Sequence, residues 1–76
     1  IVLVGHTDSD GALDFNIELS KSRAASVRKR LLDEYGLDAA RISAEGNGFL
    51  GPIRSNLDAE GRKANRRVEA IILPLQ

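Results

Sequence analysis

Apolar residues stand on consecutive positions from Ile1 to Val4, and at Gly5 the run gives way to six polar, turn-forming residues, HTDSDG. Unbroken β-branched and aliphatic positions suit a strand covered on both faces, because a half-exposed strand would alternate. This predicts a central strand that empties into a polar turn at its carboxyl end, a common location for sites in open α/β sheets. The period then becomes helical: Leu19, Val27, Leu31 and Tyr35, with Ala24 between them, recur at offsets of three, four or their sums. That spacing predicts a helix over Leu19–Tyr35, with Ser20 as its N-cap and Gly36 as the residue that closes it. Beyond a short connection, Ile42–Glu45 alternates as a modest strand, and GNGFLGP is irregular by composition. Asp58 is placed to cap a short helix from Ala59 to Arg66, in which Gly61 is tolerated at ~1 kcal/mol relative to Ala. A glycine kept at that cost often admits another backbone at close range. Val68–Leu73 reads as the last strand, ended by Pro74. The order β-α-β-α-β predicts an α/β domain (an α+β two-layer sandwich) with a mixed sheet and its helices on one face.

Composition narrows the classes. At 76 residues the chain holds one small domain. A 42% hydrophobic and 29% charged composition is that of a globular protein. The longest apolar runs fall far short of the ~20 residues of a spanning helix, so no membrane span is expected within this chain. Eleven basic and eleven acidic side chains cancel, leaving no global field for nucleic acid, although Arg62, Lys63, Arg66 and Arg67 cluster locally. Arg28, Lys29 and Arg30 read as a solvated helix face, with their charge suited to the C-terminal half of the dipole. The absence of cysteine excludes disulfides and thiolate zinc sites.

The polar turn is the place to look for chemistry. Asp8, Asp10 and Asp14 suggest calcium, but an EF-hand loop needs Gly at its sixth position and Glu at its twelfth. Counted from Asp8, Gly11 stands fourth and Leu19 twelfth. His6 is the single histidine, too few ligands for zinc. A triad of Ser20, His6 and Asp8 can be drawn, yet no G-x-S-x-G elbow surrounds the serine. No catalytic residue, metal or cofactor is therefore assigned, and His6 reads as a hydrogen-bonded residue that shapes the turn. Binding is simpler. Asp8 at the strand end and Arg23 in the first turn of the predicted helix would suit the ammonium and carboxylate of a zwitterion, with the NH groups of the helix start favouring the same anion. The residues equally allow Asp8 and Arg23 to pair with each other.

Taken together, GHTDSDG (Gly5 to Gly11), Asn16, LSKSRA (Leu19 to Ala24), Gly46, Pro52, Asn56 and EGRKANRRVE (Glu60 to Glu69) resemble the OmpA-like C-terminal peptidoglycan-binding domain of the OmpA, Pal and MotB family. The resemblance covers nearly the whole chain, and the combined spacing is far more specific than GHTD alone. It implies non-covalent binding of peptidoglycan through the diaminopimelate of the stem peptide, with Asp8 and Arg23 gripping the amino and carboxylate groups at the end of that side chain. Thr7, Asn16 and Leu19 match positions lining the same pocket, and Arg67 lies in the motif that borders it. Asn65 and Arg66 read as ties between the last helix and the strand, helped by Gly61. The resemblance further implies a periplasmic domain of an outer-membrane or other envelope-anchored protein, with peptidoglycan and envelope proteins as partners and no enzymatic activity. It covers residues 1–76 as one domain that lacks the strand and helix that normally precede the GHTD strand. Phe15 and Asp58 depart from the Tyr and Thr common in the family, changes that spare the binding chemistry. The alternative is a structural protein–protein interaction module with an internal Asp8–Arg23 ion pair, docking through the basic segment Arg62–Arg67; a wall hydrolase would lack a nucleophile.

Overall fold

A computed structural model describes residues 1–72 of the chain. Its elements are β1 (Val2–His6), α1 (Leu13–Tyr35), a single 3-10 turn (Ala39–Arg41), β2 (Ser43–Gly46), α2 (Ala59–Asn65) and β3 (Arg67–Ile71). The predicted order of strands and helices is the one observed, and β1 is the central strand of a three-stranded mixed sheet ordered β2-β1-β3. β1 runs parallel to β2, with Val2 opposite Ser43 and Gly5 opposite Gly46. It runs antiparallel to β3, with His6 opposite Arg67. The predicted strand end at Leu73 and Pro74 lies outside the described residues.

α1 covers one face of the sheet. Leu3, Ala24 and Ile42 are buried between them, and Val27, Leu31, Leu32, Ala44 and Val68 pack around that centre. The opposite face of β1 is only half covered at Val2 and Val4, so the unbroken apolar run marks the central position of the strand more than equal cover on both sides. Tyr35, expected on the buried stripe, is 69% exposed.

The helix begins earlier than its apolar spacing implies. α1 starts at Leu13, and the residue before it, Ala12, makes no side-chain cap. Ser20 is therefore no cap; it lies mid-helix and fully buried, where its Oγ donates to the Ile17 carbonyl and accepts from the Gly48 amide at 2.9 Å. The buried face of this half of the helix is Asn16, Ser20 and Ala24, polar and small instead of large and apolar. The reason is the distance to the sheet: a Cβ on Gly5 would collide with the Ser20 carbonyl, and one on Gly46 would stand 2.5 Å from the Ile17 carbonyl. At such an approach only small side chains fit. The far end follows expectation, with Gly36 at φ 62° and its amide donating to the Leu32 carbonyl.

Arg28 also departs from the solvated reading. Its Nε donates to the Ile42 carbonyl at 2.8 Å and its guanidinium to that of Ala39, clamping the lead-in to β2. Lys29 and Arg30 do stand in solvent, paired with Asp33 and Glu34 one turn on.

α2 is short and is held by its preceding loop. Asp58 caps it, accepting from the Gly61 amide at 2.6 Å. Gly61 admits the Ser55 carbonyl at a distance no Cβ would allow. Asn65, with no exposed surface, accepts from the amides of Ile53 and Arg54 and donates to the carbonyl of Arg54 and to Asn56 Oδ1. These four bonds tie the loop to the end of α2, and a part-buried group left without its partner costs ~1–3 kcal/mol. Asn65→Ala should accordingly lower unfolding stability by about 2–4 kcal/mol, measured by urea denaturation. An unchanged midpoint would mean that the loop finds other partners.

Candidate functional site

The turn after β1 is fixed before any ligand arrives. The Thr7 amide donates to the Gly48 carbonyl at 2.8 Å, and its Oγ1 donates to the Asp8 carbonyl. The Asn47 amide donates to the Gly5 carbonyl, extending the β2 pairing into the glycine-rich loop. Asn16 reaches up from α1 and donates through Nδ2 to the carbonyls of Asp10 at 2.7 Å and Ala12 at 3.0 Å. Thr7 and Asn16 thus shape the turn with the polar atoms that the sequence comparison with the family aims at a ligand.

Asp8 is the charged centre of the turn. It is buried, its Oδ1 accepting from the Asp10 amide at 3.0 Å and its Oδ2 from Arg66 Nη1 at 2.5 Å. The Asp10 amide, then the Arg66 guanidinium and the charge of Arg62, hold the carboxyl below its ordinary value against the opposing effect of burial. It is ionised at neutral pH. The internal Asp8–Arg23 ion pair of the alternative reading is therefore not formed: the partner is Arg66, the residue that closes α2. Arg66 does tie the last helix to the end of β1, and it does so through the carboxylate singled out for binding. Nothing in the local sequence distinguishes Arg66 from Arg67 for this task; the choice follows from where α2 ends.

Arg23 is not in the first turn of its helix. α1 begins at Leu13, so at ~1.5 Å per residue Arg23 lies about 15 Å beyond the helix start, out of reach of an anion held by those first amides. At ~100° per residue, Leu19 and Arg23 lie on the flank of the buried stripe opposite Arg28. Arg28 faces the β2 side, so the other flank overlooks β1 and β3. Ser20 is level with Gly5, and helical side chains tilt toward the N-terminus, which leans Arg23 toward Leu19 and the Asp8 turn. Both residues are half-buried, and among the described residues Arg23 enters no hydrogen bond or ion pair. Arg67 is engaged, donating to the carbonyls of Gly51 at 2.8 Å and Asn65 at 3.2 Å and to Glu69 at 2.6 Å.

His6 is buried, with neither ring nitrogen hydrogen-bonded, so it does not serve as the hydrogen-bonded turn residue expected. Gly51 lies over its ring, and Glu69 stands 4.0 Å from Nε2. Ser20, His6 and Asp8 form no relay, because Ser20 and Asp8 bond elsewhere. What the arrangement offers is an ionised carboxylate at a strand end, flanked by the α1 side that carries Leu19 and Arg23 and by the α2–β3 junction that carries Arg66 and Arg67.

These features define a small α/β domain with a buried, ionised carboxylate at the carboxyl end of its central strand. Residues 1–66 match the OmpA family, and the chain belongs to it. It is 52% identical over 73 residues to Outer membrane protein A of Bordetella avium, covering 96% of this chain and 37% of that protein. Among solved structures it resembles the cell wall anchor of the T6SS from Pseudomonas aeruginosa, with 39% identity, a TM-score of 0.77 and coverage of 88% of this chain and 49% of that one. It also resembles the peptidoglycan-associated lipoprotein from Burkholderia pseudomallei, with 30% identity, a TM-score of 0.83 and coverage of 91% and 58%. The chain thus spans between about a third and three-fifths of the length of these three proteins. No helix among the described residues is long and apolar enough to cross a membrane.

Burial pushes the His6 pKa below 6.5, helped by the Arg67 charge and opposed by Glu69. Below 6.5 the unfolded chain binds a proton that the folded chain refuses, so stability is full above that pH and declines as pH falls toward the lowered folded value. Urea denaturation at pH 7, 6 and 5 should show this decline, and His6→Phe should flatten it. An equal slope in the variant would assign the effect to another group. Asp8 adds a separate loss at lower pH, below the ordinary 3.8, as its carboxylate is protonated.

Proposed function

We propose that this domain binds peptidoglycan non-covalently through the diaminopimelate of the stem peptide and anchors an outer-membrane or other envelope protein to the wall from the periplasm. The observation that carries the reading is an ionised, buried Asp8 at the end of β1 together with a half-buried Arg23 on α1 whose side chain has no hydrogen-bond or ion-pair partner among the described residues. A carboxylate and a free guanidinium complement an ammonium and a carboxylate on one ligand atom. The side-chain end of diaminopimelate has both; a lysine in the same peptide has only the ammonium. Leu19 lies one turn before Arg23 on the same flank of α1, and Thr7, Asn16 and Arg67 hold the backbone around Asp8 in place. The names of the similar proteins, a cell wall anchor and a peptidoglycan-associated lipoprotein, favour the same ligand class. The activity proposed is binding alone; Ser20, the hydroxyl considered as a nucleophile, is buried and doubly bonded.

Arg23→Ala is the cleaner test, because that side chain makes no hydrogen bond or ion pair with the described residues. Losing one member of a desolvated charge pair costs ~2–5 kcal/mol, about 30-fold to several thousand-fold in affinity. Sedimentation with diaminopimelate-type walls should retain the wild type and release Arg23→Ala and Asp8→Asn, the latter keeping an acceptor for the Asp10 amide. Equal retention of all three proteins would remove the proposal.

A further inference from the structure

We infer that Arg66, paired with Asp8, is the residue that makes this carboxylate reject a lone ammonium, so that only a ligand bringing its own carboxylate is accepted. The inference rests on the binding reading above and concerns its selectivity. The carboxylate of Asp8 is not vacant in the free protein, since Oδ1 takes the Asp10 amide and Oδ2 takes Arg66. Its side chain is 11% exposed, whereas that of Arg66 is 42% exposed. An ammonium arriving from solvent must use the remaining lone pairs of the same carboxylate. Two cations bound to one carboxylate stand within about 5 Å of each other.

The charged side chains that act on Asp8 are positive. Asp8 faces Arg66 directly and feels Arg62, while Glu69 is occupied by Arg67. Arg23 adds a further positive charge on the α1 flank. A ligand that contributes only an ammonium adds to this positive charge, and repulsion from Arg66 cancels much of what it gains from Asp8. A ligand whose ammonium and carboxylate sit on one carbon adds no net charge, and its carboxylate faces Arg23 and the exposed edge of the Arg66 guanidinium. Discrimination then comes from a built-in repulsive element as well as from an attractive one. Arg66 acts as a positioning and specificity residue through Asp8, independently of the guanidinium on α1.

The test compares two soluble tripeptides, L-Ala-γ-D-Glu-diaminopimelate and L-Ala-γ-D-Glu-L-Lys, by calorimetry on wild type, Arg66→Gln and Arg66→Lys, with melting curves to confirm that each variant is folded. The wild type should prefer the diaminopimelate peptide. Arg66→Gln should lower the affinity ratio by about tenfold or more, chiefly by strengthening the lysine peptide. Arg66→Lys keeps the charge and should hold the ratio within about threefold of the wild type. An unchanged ratio in Arg66→Gln, or a ratio lost equally in Arg66→Lys, overturns the inference. Should Arg66→Gln not fold, Arg66→Lys and the salt dependence of the wild type decide. Repulsion at a partly exposed guanidinium weakens with ionic strength, so the ratio must shrink as salt is raised, and a ratio independent of salt is equally fatal. Failure of the wild type to bind either peptide would instead refute the binding reading, which separates the two outcomes.

Discussion

Asn65 presents its carboxamide, wholly removed from water, to three backbone groups of the Ile53–Arg54 segment and to the side chain of Asn56. The residues that follow owe their places to it. α2 stops there, Arg66 turns to meet Asp8, and Arg67 begins β3 opposite His6. The apolar centre is small, with Leu3, Ala24 and Ile42 fully buried, while His6, Thr7, Asp8, Asn16, Ser20 and Asn65 are buried polar groups. At the Asp8 end, therefore, hydrogen bonds perform the task that side-chain packing performs under α1. Such networks fix one geometry when every member is satisfied. His6 is the exception, and its two unbonded nitrogens mark where the network is incomplete.

The geometry around Asp8 follows from that rigidity. The carboxylate is held from two sides by the Asp10 amide and Arg66, and the backbone by Thr7 and Asn16. The charge has already given up most of its water and much of its freedom. Affinity is gained when such ordering precedes binding.

The architecture was legible in the chain because punctuation and period agreed. The polar turn ended β1, although the strand runs through Gly5 to His6; Gly36 closed α1, Asp58 opened α2, and the apolar clusters separated three strands. The start of α1 was not legible, for a physical reason. Apolar spacing finds helices whose buried face is large and greasy, whereas Leu13–Ser20 buries Asn16 and Ser20 against the glycines of β1 and β2. Misplacing that start put Arg23 a turn or more too close to the helix N-terminus. The place of Asp8 at the end of the central strand was legible from the polar turn that follows the apolar run. Its partner was not, because the pairing with Arg66 joins residues 58 positions apart through the path of α2 and its loop. The tie attributed to Asn65 and Arg66 came from family resemblance, and periodicity alone would not have supplied it.

β1 is hydrogen-bonded along both edges, to β2 over Val2–Gly5 and to β3 over Val2–His6, and Asp8 lies two residues past its end. The inter-strand bonds lie across the strand direction. A mechanical load entering at the Asp8 turn and directed back along β1 therefore shears two ladders at once, and neither can open bond by bond from one end. Resistance to such a load is set by the rate of unfolding and less by equilibrium stability. A small domain with a modest core is in this way suited to carry tension, provided the pull follows the axis of its central strand.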